Sequence, residues 1–227
     1  MENKEFQKVQ IAVLNSFFKE LNERSYDYCV LRNFERLPQF IGNDLDILLS
    51  IDALDGTFDI AQRVMRENGF YLVKHIKRFG HTGLYYEHSL HSESIVIDLL
   101  TRIVKIWYDY ADCNYILRNR VKYKNFYVPQ KGVILYTLII KDLLTYGHVR
   151  SKNDLVIKSV NLADRESFIY CGENYFSKTL LVSLFDECVN HRIQVKRSEL
   201  FWQLQRRTSM INILKYCSLR LKEIFIK

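Results

Sequence analysis

The chain has 227 residues, of which 48% are hydrophobic and 26% charged, and its formal net charge is +7. This length and balance fit one medium or two small globular domains and exclude a disordered or fibrous chain. No uncharged apolar run reaches the roughly 18 residues that span a bilayer, and the first residues lack the apolar core of a signal peptide. The five cysteines have no Cys-x-x-Cys spacing, which excludes the usual zinc and disulfide patterns. We therefore expect a cytoplasmic protein whose cysteines are small buried hydrophobes.

The predicted fold begins with a helix, a strand and a loop. Apolar residues recur at helical spacing over residues 5–22, which predicts an amphipathic helix. A short apolar run over 27–31 predicts the first strand. The loop over 32–43 contains Pro38 and Gly42 and leads into a second strand. Loops between rigid strands commonly carry ligand-binding groups.

The second strand begins with an Asp-x-Asp pair. Acidic and apolar residues alternate from Asp44 to Leu49, which predicts a half-buried strand with Leu45, Ile47 and Leu49 toward the core. Asp44 and Asp46 then share the other face, about 6.6 Å apart along the strand. Neighbouring carboxylates repel each other unless they share a cation, and Mg²⁺ prefers such oxygen ligands. For this pair alone, a turn cap and a solvated acid are an equally good interpretation.

A third acid lies in a later strand. A helix over 52–68 and strands over 70–79, 82–88 and 93–103 are predicted to complete an α+β first half. Asp98 lies inside the β-branched run of the last strand, where a charge is seldom buried without a partner. If that strand pairs beside the Asp-x-Asp strand, three carboxylates meet on one face, a recurring site for displacement at phosphorus. The alternative is an edge-strand Asp98 that pairs with a basic residue.

These segments resemble a known superfamily. Residues 28–35 (YCVLRNFE), residues 41–48 (IGNDLDIL) and Asp98 resemble the nucleotidyltransferase (polymerase-beta-like) superfamily over roughly the first half of the chain. The likeness is closest to uncharacterised bacterial nucleotidyltransferases often linked with surface-polysaccharide synthesis. It implies a mixed β-sheet flanked by helices, a nucleoside triphosphate and a small-molecule acceptor. It also implies two Mg²⁺ ions, with Mn²⁺ as the alternative, held by the catalytic triad Asp44, Asp46 and Asp98, with Asp98 as general base or as a partner of a metal-bound hydroxyl.

One departure from the superfamily concerns the triphosphate. The superfamily usually has a Gly-Ser pair after the first strand, where this chain has Arg32 and Asn33. Phosphate contact there either passes to the Arg32 guanidinium, which suits bidentate phosphate recognition, or has been altered or lost. The residues expected to bind the nucleotide are Arg32, Asn33, Gly42, Asn43 and, by resemblance, Lys141 on a helix of the second half.

The hairpin region also contains histidines and cations. The histidines match no standard metal-ligand spacing, so we expect them to be solvated. The cations on the first of these strands are candidates to hold the phosphate of a second substrate. The histidines are His75, His81, His88 and His91, and the cations are Lys74, Lys77 and Arg78.

Cations and aromatic residues alternate over 107–131. This pattern is typical of an exposed edge strand and also of grooves that bind single-stranded nucleic acid. We favour the edge strand and expect no nucleic-acid partner. Pro129 marks the predicted boundary between a nucleotidyltransferase-like domain over 1–129 and a helical domain over 130–227.

The second half is predicted to be helical over 131–147, 155–162, 168–189 and 199–226. From Arg192 to Lys227 there are nine Lys or Arg residues and two Glu residues. The last helix combines an apolar stripe with basic flanks. This pattern predicts either packing on the helical domain or peripheral contact with an anionic membrane.

Three functions remain open at this point. The first is Mg²⁺-dependent nucleotidyl transfer to a small acceptor, for example a sugar or sugar phosphate. The second is a catalytically altered nucleotide-binding or regulatory module with the same fold. The third is a glycosyltransferase that uses Asp-x-Asp for a sugar nucleotide, for which the about forty residues before the motif leave little room for a doubly wound half.

Overall fold

The computed structural model describes residues 4–90, 93–105, 108–190 and 192–207. The chain separates into two compact units. One unit runs to Thr101 and includes Arg120–Pro129, and the other comprises Arg102–Asn119 and the residues from Gln130 onward.

The first unit is built from five main strands, two helices and a short hairpin. Apolar residues at helical spacing in the first helix are buried, so the predicted helix over 5–22 is confirmed. The elements are α1 (Lys4–Glu23), β1 (Tyr28–Val30), β2 (Leu45–Leu49), α2 (Leu54–Glu67), β3 (Phe70–Arg78), β4 (His81–His88), β5 (Ser94–Leu100), β8 (Val121–Tyr123) and β9 (Phe126–Val128).

The five main strands form a mixed sheet in the order β1-β2-β5-β4-β3. Strands β2 and β5 are parallel, and the other neighbours are antiparallel. A parallel pair needs a long crossover, and α2, β3 and β4 supply it between β2 and β5. The predicted α+β class with a mixed sheet is therefore confirmed.

One face of the sheet is covered by helices. Leu45, Ile47 and Leu49 of β2 are all buried on this face, as their alternation predicts. Phe18 of α1 stacks on Tyr28 of β1 with ring centroids 6.1 Å apart. Each leucine or isoleucine buried in this way stabilises the fold by about 1.5–3 kcal/mol, so this face contributes much of the unit's stability.

The opposite face carries the acids and is called the acidic face below. Its members are set by the strand register, in which side chains directly opposite each other lie on the same side of the sheet. They are Asp46, Leu48, His81, Gly83, Tyr85, Val96, Asp98 and Leu100 with Lys74, Ile76 and Arg78 of β3.

The hairpin of β8 and β9 packs beside α1. Its Phe126 is fully buried and lies 4.8 Å from Phe18, centroid to centroid. Two cations of this segment make contacts within the unit: Arg120 pairs with Asp27 at 2.8 Å, and Lys124 donates to the Leu37 carbonyl. These contacts give Arg120 and Lys124 a structural role.

The second unit is mainly helical. Its α4 ends at Gly147, which adopts a left-handed conformation with φ of 78° and donates to Leu143, as expected for a glycine C-cap. The elements are β6 (Val104–Lys105), β7 (Tyr108–Asp109), α3 (Cys113–Arg118), α4 (Lys131–Tyr146), α5 (Asp154–Ser159), α6 (Arg165–Gly172), α7 (Lys178–Val189) and α8 (Arg197–Arg207).

Two predictions for this unit were wrong in detail. An edge strand over 107–131 is contradicted in its first half by helix α3, whose N-cap Asp112 accepts a hydrogen bond from Tyr115 N. The single helix expected over 168–189 is two helices, α6 and α7. The break follows Gly172, where a Cβ would clash with the ring of Tyr136, and a new N-cap forms at Ser177.

A buried carboxylate organises the end of α4. Asp142 has no exposed surface and accepts from Arg150 N at 3.0 Å and from the Arg150 guanidinium at 2.6 and 2.9 Å. The Asn153 side chain donates a further hydrogen bond of 2.7 Å. A buried charge is tolerated when it is paired and hydrogen-bonded, so Asp142 is structural.

The cysteines of the described residues are free, and Cys29, Cys171 and Cys188 are buried. Burial raises the pKa of the Cys188 thiol to about 12, so it behaves as an uncharged hydrophobe, as expected.

The predicted terminal helix over 199–226 lies partly in α8, and residues 208–227 lie outside the described residues. Among the helices that are described, none is long and apolar enough to cross a membrane.

Candidate metal centre

Two of the three predicted acids lie directly opposite each other. In the parallel pairing of β2 and β5, Asp46 and Asp98 are register partners. Side chains at such positions lie on the same sheet face, and the helix-covered face is the opposite one. The sequence prediction that β5 pairs beside the Asp-x-Asp strand is therefore confirmed, and the edge-strand alternative for Asp98 is excluded.

The third acid completes the cluster. Asp44 immediately precedes β2, and one carboxylate oxygen each of Asp44, Asp46 and Asp98 lies within 4.8 Å of the others. A set of three carboxylates is the donor chemistry that Mg²⁺ and Mn²⁺ prefer. The cluster therefore fits a divalent cation.

Arg32 contacts two of these acids directly. Its Nε donates to Asp46 Oδ2, its Nη2 donates to Asp46 Oδ1 at 3.0 Å, and the same Nη2 lies 3.5 Å from Asp44 Oδ2. Asp46 is 6% exposed, and a buried carboxylate requires a partner. The guanidinium supplies that partner as a two-point fork. The expected contact of Arg32 with phosphate stays a prediction, and in this structure its guanidinium contacts the acids.

The sequence analysis missed the surroundings of Asp98. His81 Nε2 lies 3.0 Å from Asp98 Oδ1, but the contact lacks hydrogen-bond geometry, so this buried oxygen has no hydrogen-bond partner among the described residues. Gly83 is the register partner of Asp98, and a Cβ there would lie 3.2 Å from the same oxygen. A glycine at position 83 therefore makes room for the carboxylate. The signal in the sequence was the glycine inside a strand, which often marks a close approach.

The expectation of solvated hairpin histidines was wrong in two cases. His81 lies against Asp98, as described above. His88 is 7% exposed, its Nδ1 accepts from Leu90 N at 3.1 Å, and its ring lies 4.8 Å from that of Phe70. His75 is exposed and stacks on Phe58, and His91 lies outside the described residues.

The loop between β1 and β2 carries the other residues expected to bind the nucleotide. Asn33, Gly42 and Asn43 are exposed on it, and both Asn33 and Gly42 have positive φ, 58° and 79°. The left-handed conformation is strained for most residues but accessible to Gly and Asn. These two residues therefore shape a loop whose backbone groups are accessible to a ligand.

The same loop is held in place near its middle. Gln10 of α1 donates to the Pro38 carbonyl at 3.0 Å, and Lys124 of the β8–β9 turn donates to the Leu37 carbonyl at 2.6 Å. At its start, Leu31 N donates to the Asp46 carbonyl at 3.0 Å. The bond from Leu31 holds the start of the loop against β2, and the other two hold its middle against α1 and the β8–β9 turn.

The remaining cations are divided between faces and units. Lys74 and Arg78 lie on the acidic face. Lys77, the register partner of Thr82 in β4, lies on the other face. Within the described residues Lys74 and Arg78 make no ion pair, and the Lys74 ammonium lies 5.6 Å from the centre of the Tyr85 ring. Lys141 belongs to α4 in the second unit, and its contact with phosphate stays a prediction.

Comparisons with known proteins give two distant structural likenesses. The structure of JHP933 from Helicobacter pylori is 12% identical, with a TM-score of 0.41 over 98% of this chain and 97% of that one. A candidate nucleotidyltransferase from H. pylori is also 12% identical, with a TM-score of 0.36 over 92% and 93% of the two chains. No family model matches, and no curated protein matches. At these TM-scores neither likeness supports a conclusion about function, which rests on the geometry of the acidic cluster.

Proposed function

We propose that this protein is a divalent-metal-dependent nucleotidyltransferase that moves a nucleotidyl group from a nucleoside triphosphate to a small acceptor. The observation that carries the proposal is the register of Asp46 opposite Asp98, with Asp44 within the same 4.8 Å cluster. Three carboxylates on neighbouring strands repel each other, so a fold gains nothing from them unless a cation joins them. Clusters of this kind serve in-line displacement at phosphorus.

All three acids would hold the cations, and Asp98 would have a second task. Asp44, Asp46 and Asp98 would be the ligands of the cations, which would neutralise charge on the attacking and leaving oxygens. Asp98 would accept the proton of the acceptor hydroxyl. The acceptor oxygen then forms a bond to the α-phosphorus, and the bond to the β-phosphate breaks, so pyrophosphate leaves with the electron pair. Because Asp98 Oδ1 is buried beside His81, its other oxygen, Oδ2, is the one we assign to this proton.

The loop between β1 and β2 is the proposed triphosphate site. Gly42 and Asn43 are exposed and directly precede Asp44 and β2, whereas the exposed Asn33 follows Arg32 at the start of the loop. Backbone N–H groups in such loops bind phosphate oxygens, and a guanidinium binds them with two parallel hydrogen bonds. Lys141 is proposed to add a further phosphate contact, on the resemblance alone.

Two cations on the acidic face favour an acceptor that carries a negative charge. Lys74 and Arg78 lie on β3, two strands away from Asp98, and each is two residues from Ile76, which is level with Asp98. The backbone of each is therefore about 12 Å from that of Asp98. Both side chains are exposed. The proposed acceptor, for example a sugar phosphate, places its hydroxyl at Asp98 and its phosphate at one of these cations. The link with surface-polysaccharide synthesis rests on the sequence resemblance alone.

A second candidate function is a nucleotide-binding module without turnover. The observation that favours it is Arg32, whose guanidinium is bound to both oxygens of Asp46 where a catalytic cation would bind. A glycosyltransferase has less support, because the described sheet is mixed, with β1 antiparallel to β2, whereas a doubly wound nucleotide-binding half has a mostly parallel sheet.

The test is a search for transferred nucleotide by mass spectrometry. The protein is incubated with each nucleoside triphosphate, Mg²⁺ and a panel of sugars and sugar phosphates. We expect an acceptor whose mass has increased by one nucleotidyl group, with release of pyrophosphate. The product should be absent in EDTA and with Asp44→Asn, and present with Asp52→Asn, which removes an exposed acid outside the cluster.

Two outcomes would decide against the transferase. Triphosphate binding that requires Asp44 without any product across the panel would favour the binding module. Product formed equally by Asp44→Asn would place the chemistry elsewhere in the chain.

A further inference from the structure

We infer that Arg32 competes with the metal ion for the acids. Its side chain contacts the acids in the metal-free protein and leaves them when a triphosphate binds. The inference rests on the proposed function, because it assumes that the acidic cluster binds a cation. It makes the binding of metal and the binding of triphosphate depend on each other through one side chain.

The first step is that Arg32 uses the same oxygens as a metal would. Both carboxylate oxygens of Asp46 accept hydrogen bonds from the guanidinium, one from Nε and one from Nη2. The Nη2 group also lies 3.5 Å from Asp44 Oδ2. Two of the three clustered acids are therefore in contact with a cation that the chain itself supplies.

The second step is that the guanidinium and a divalent cation oppose each other at these oxygens. A carboxylate oxygen can accept more than one partner, so the opposition is electrostatic rather than purely steric. Like charges separated by a few ångströms repel strongly at a site of low exposure, and Asp46 has only 8% of its side chain exposed. Metal binding therefore weakens the contact between Arg32 and Asp46, and that contact weakens metal binding.

The third step is that the side chain can move while its backbone stays in place. The bond from Leu31 N to the Asp46 carbonyl fixes the chain next to Arg32, and the contacts of Gln10 and Lys124 fix the middle of the loop. The Arg32 side chain is 29% exposed and has several rotatable bonds. Its movement from the acids to solvent needs no change in the sheet.

The fourth step is that a triphosphate is the ligand that draws the guanidinium away. Arginine binds phosphate with two parallel hydrogen bonds, and the exposed residues next to Arg32 form the proposed triphosphate loop. If Arg32 binds phosphate, the acids lose their competitor and the metal binds more tightly. By linkage, the metal must then strengthen triphosphate binding by the same factor.

The experiment measures Mn²⁺ binding by electron paramagnetic resonance, with and without a non-hydrolysable nucleoside triphosphate analogue. The variants are Arg32→Gln and Arg36→Gln. Arg36 is the matched control because it lies on the same loop, and its guanidinium rests 4.0 Å above the Phe40 ring instead of on the acids. Both variants lose one positive charge, so a general change of net charge affects them equally.

Without triphosphate, Arg32→Gln should bind Mn²⁺ on the order of tenfold more tightly than the parent, a typical size for coupling between ligands. Arg36→Gln should bind as the parent does. The strengthening of Mn²⁺ binding by the triphosphate analogue should shrink in Arg32→Gln. If Arg32→Gln does not fold, Arg32→Lys, which keeps the charge but loses the fork, should fall between the parent and that result.

The outcomes separate this inference from the proposed function. If Asp46→Asn abolishes Mn²⁺ binding but Arg32→Gln and Arg32→Lys bind no more tightly than the parent, the competitor role is refuted and the metal centre stands. If neither the parent nor the Arg32 variants bind Mn²⁺, both the metal centre and the inference are refuted. Equal tightening in Arg32→Gln and Arg36→Gln would also refute the inference, because net charge alone would explain it.

Discussion

The acids of the cluster should differ in their effect on stability, because Arg32 contacts only some of them. Asp46 is held by the guanidinium fork, whereas Asp98 has a buried oxygen without a hydrogen-bond partner. We therefore expect Asp98→Asn to stabilise the metal-free protein and Asp46→Asn to destabilise it. A cluster of three equivalent solvated acids would not produce opposite signs.

The distances in the cluster set the size of the effect. Two carboxylate charges 4.8 Å apart repel by about 3.5 kcal/mol at an effective dielectric constant of 20. Partial exposure of Asp44 and Asp98 screens this energy, and Asp98→Asn also loses some attraction to Arg32, which leaves a gain of about 1–2 kcal/mol. Asp46→Asn loses charge-assisted hydrogen bonds worth about 1.5–3 kcal/mol each and recovers only part of this from reduced repulsion.

The assay is thermal unfolding followed by calorimetry, first in EDTA and then in millimolar Mg²⁺. In EDTA, Asp98→Asn should melt about 3–6 °C above the parent and Asp46→Asn below it, since 1 kcal/mol shifts the melting temperature of a chain of this size by about 2–4 °C. Mg²⁺ should raise the melting temperature of the parent and of neither variant. An Asp98→Asn variant that melts at or below the parent in EDTA would refute the reasoning.

Three further predictions concern other parts of the chain. Asp142→Ala removes the buried carboxylate that binds the Arg150 guanidinium and should lower the free energy of unfolding by about 3 kcal/mol. Asp154→Asn changes an exposed acid nearby and should lower it by under about 0.5 kcal/mol. Equal losses would contradict the structural role of Asp142. Tyr86→Phe removes a buried hydroxyl without a hydrogen-bond partner and should stabilise by about 1 kcal/mol at neutral pH. Because burial raises the pKa of Tyr86 above its ordinary value, the parent loses stability as the pH rises above about 10, and the variant should lose less. Lys141→Gln should weaken triphosphate binding about fivefold in calorimetry, and an unchanged affinity would remove Lys141 from the site.

The sequence was sufficient to predict the acids of the site and the strands that carry them. Alternation around Asp46 has the period of two residues that is typical of a strand, and the run around Asp98 is rich in the β-branched residues that favour strands. Both are local signals. The pairing of β2 with β5 was predicted because it brings three carboxylates to one sheet face, and the register confirms this pairing. Local pattern and charge were therefore enough to predict the acids and the pairing of their strands.

The contacts of these acids could not be predicted, because they depend on strand order and on side-chain direction. The contact of His81 with Asp98 exists because β4 lies beside β5 in one particular register, and a shift of one residue would turn His81 to the other face. Likewise, the contact of Arg32 with Asp46 depends on the burial of that carboxylate, which the sequence does not display. The close approach of Tyr136 to Gly172, beside the end of α6, is again a long-range contact.

The most direct test of the metal centre is an anomalous difference map from crystals soaked with Mn²⁺ and a non-hydrolysable nucleoside triphosphate. The account predicts a peak bounded by the carboxylates of Asp44, Asp46 and Asp98, with the triphosphate beside the loop and Arg32 turned from the acids to a phosphate. A map with Mn²⁺ bound elsewhere, or with none at these three acids while triphosphate is bound, would contradict it.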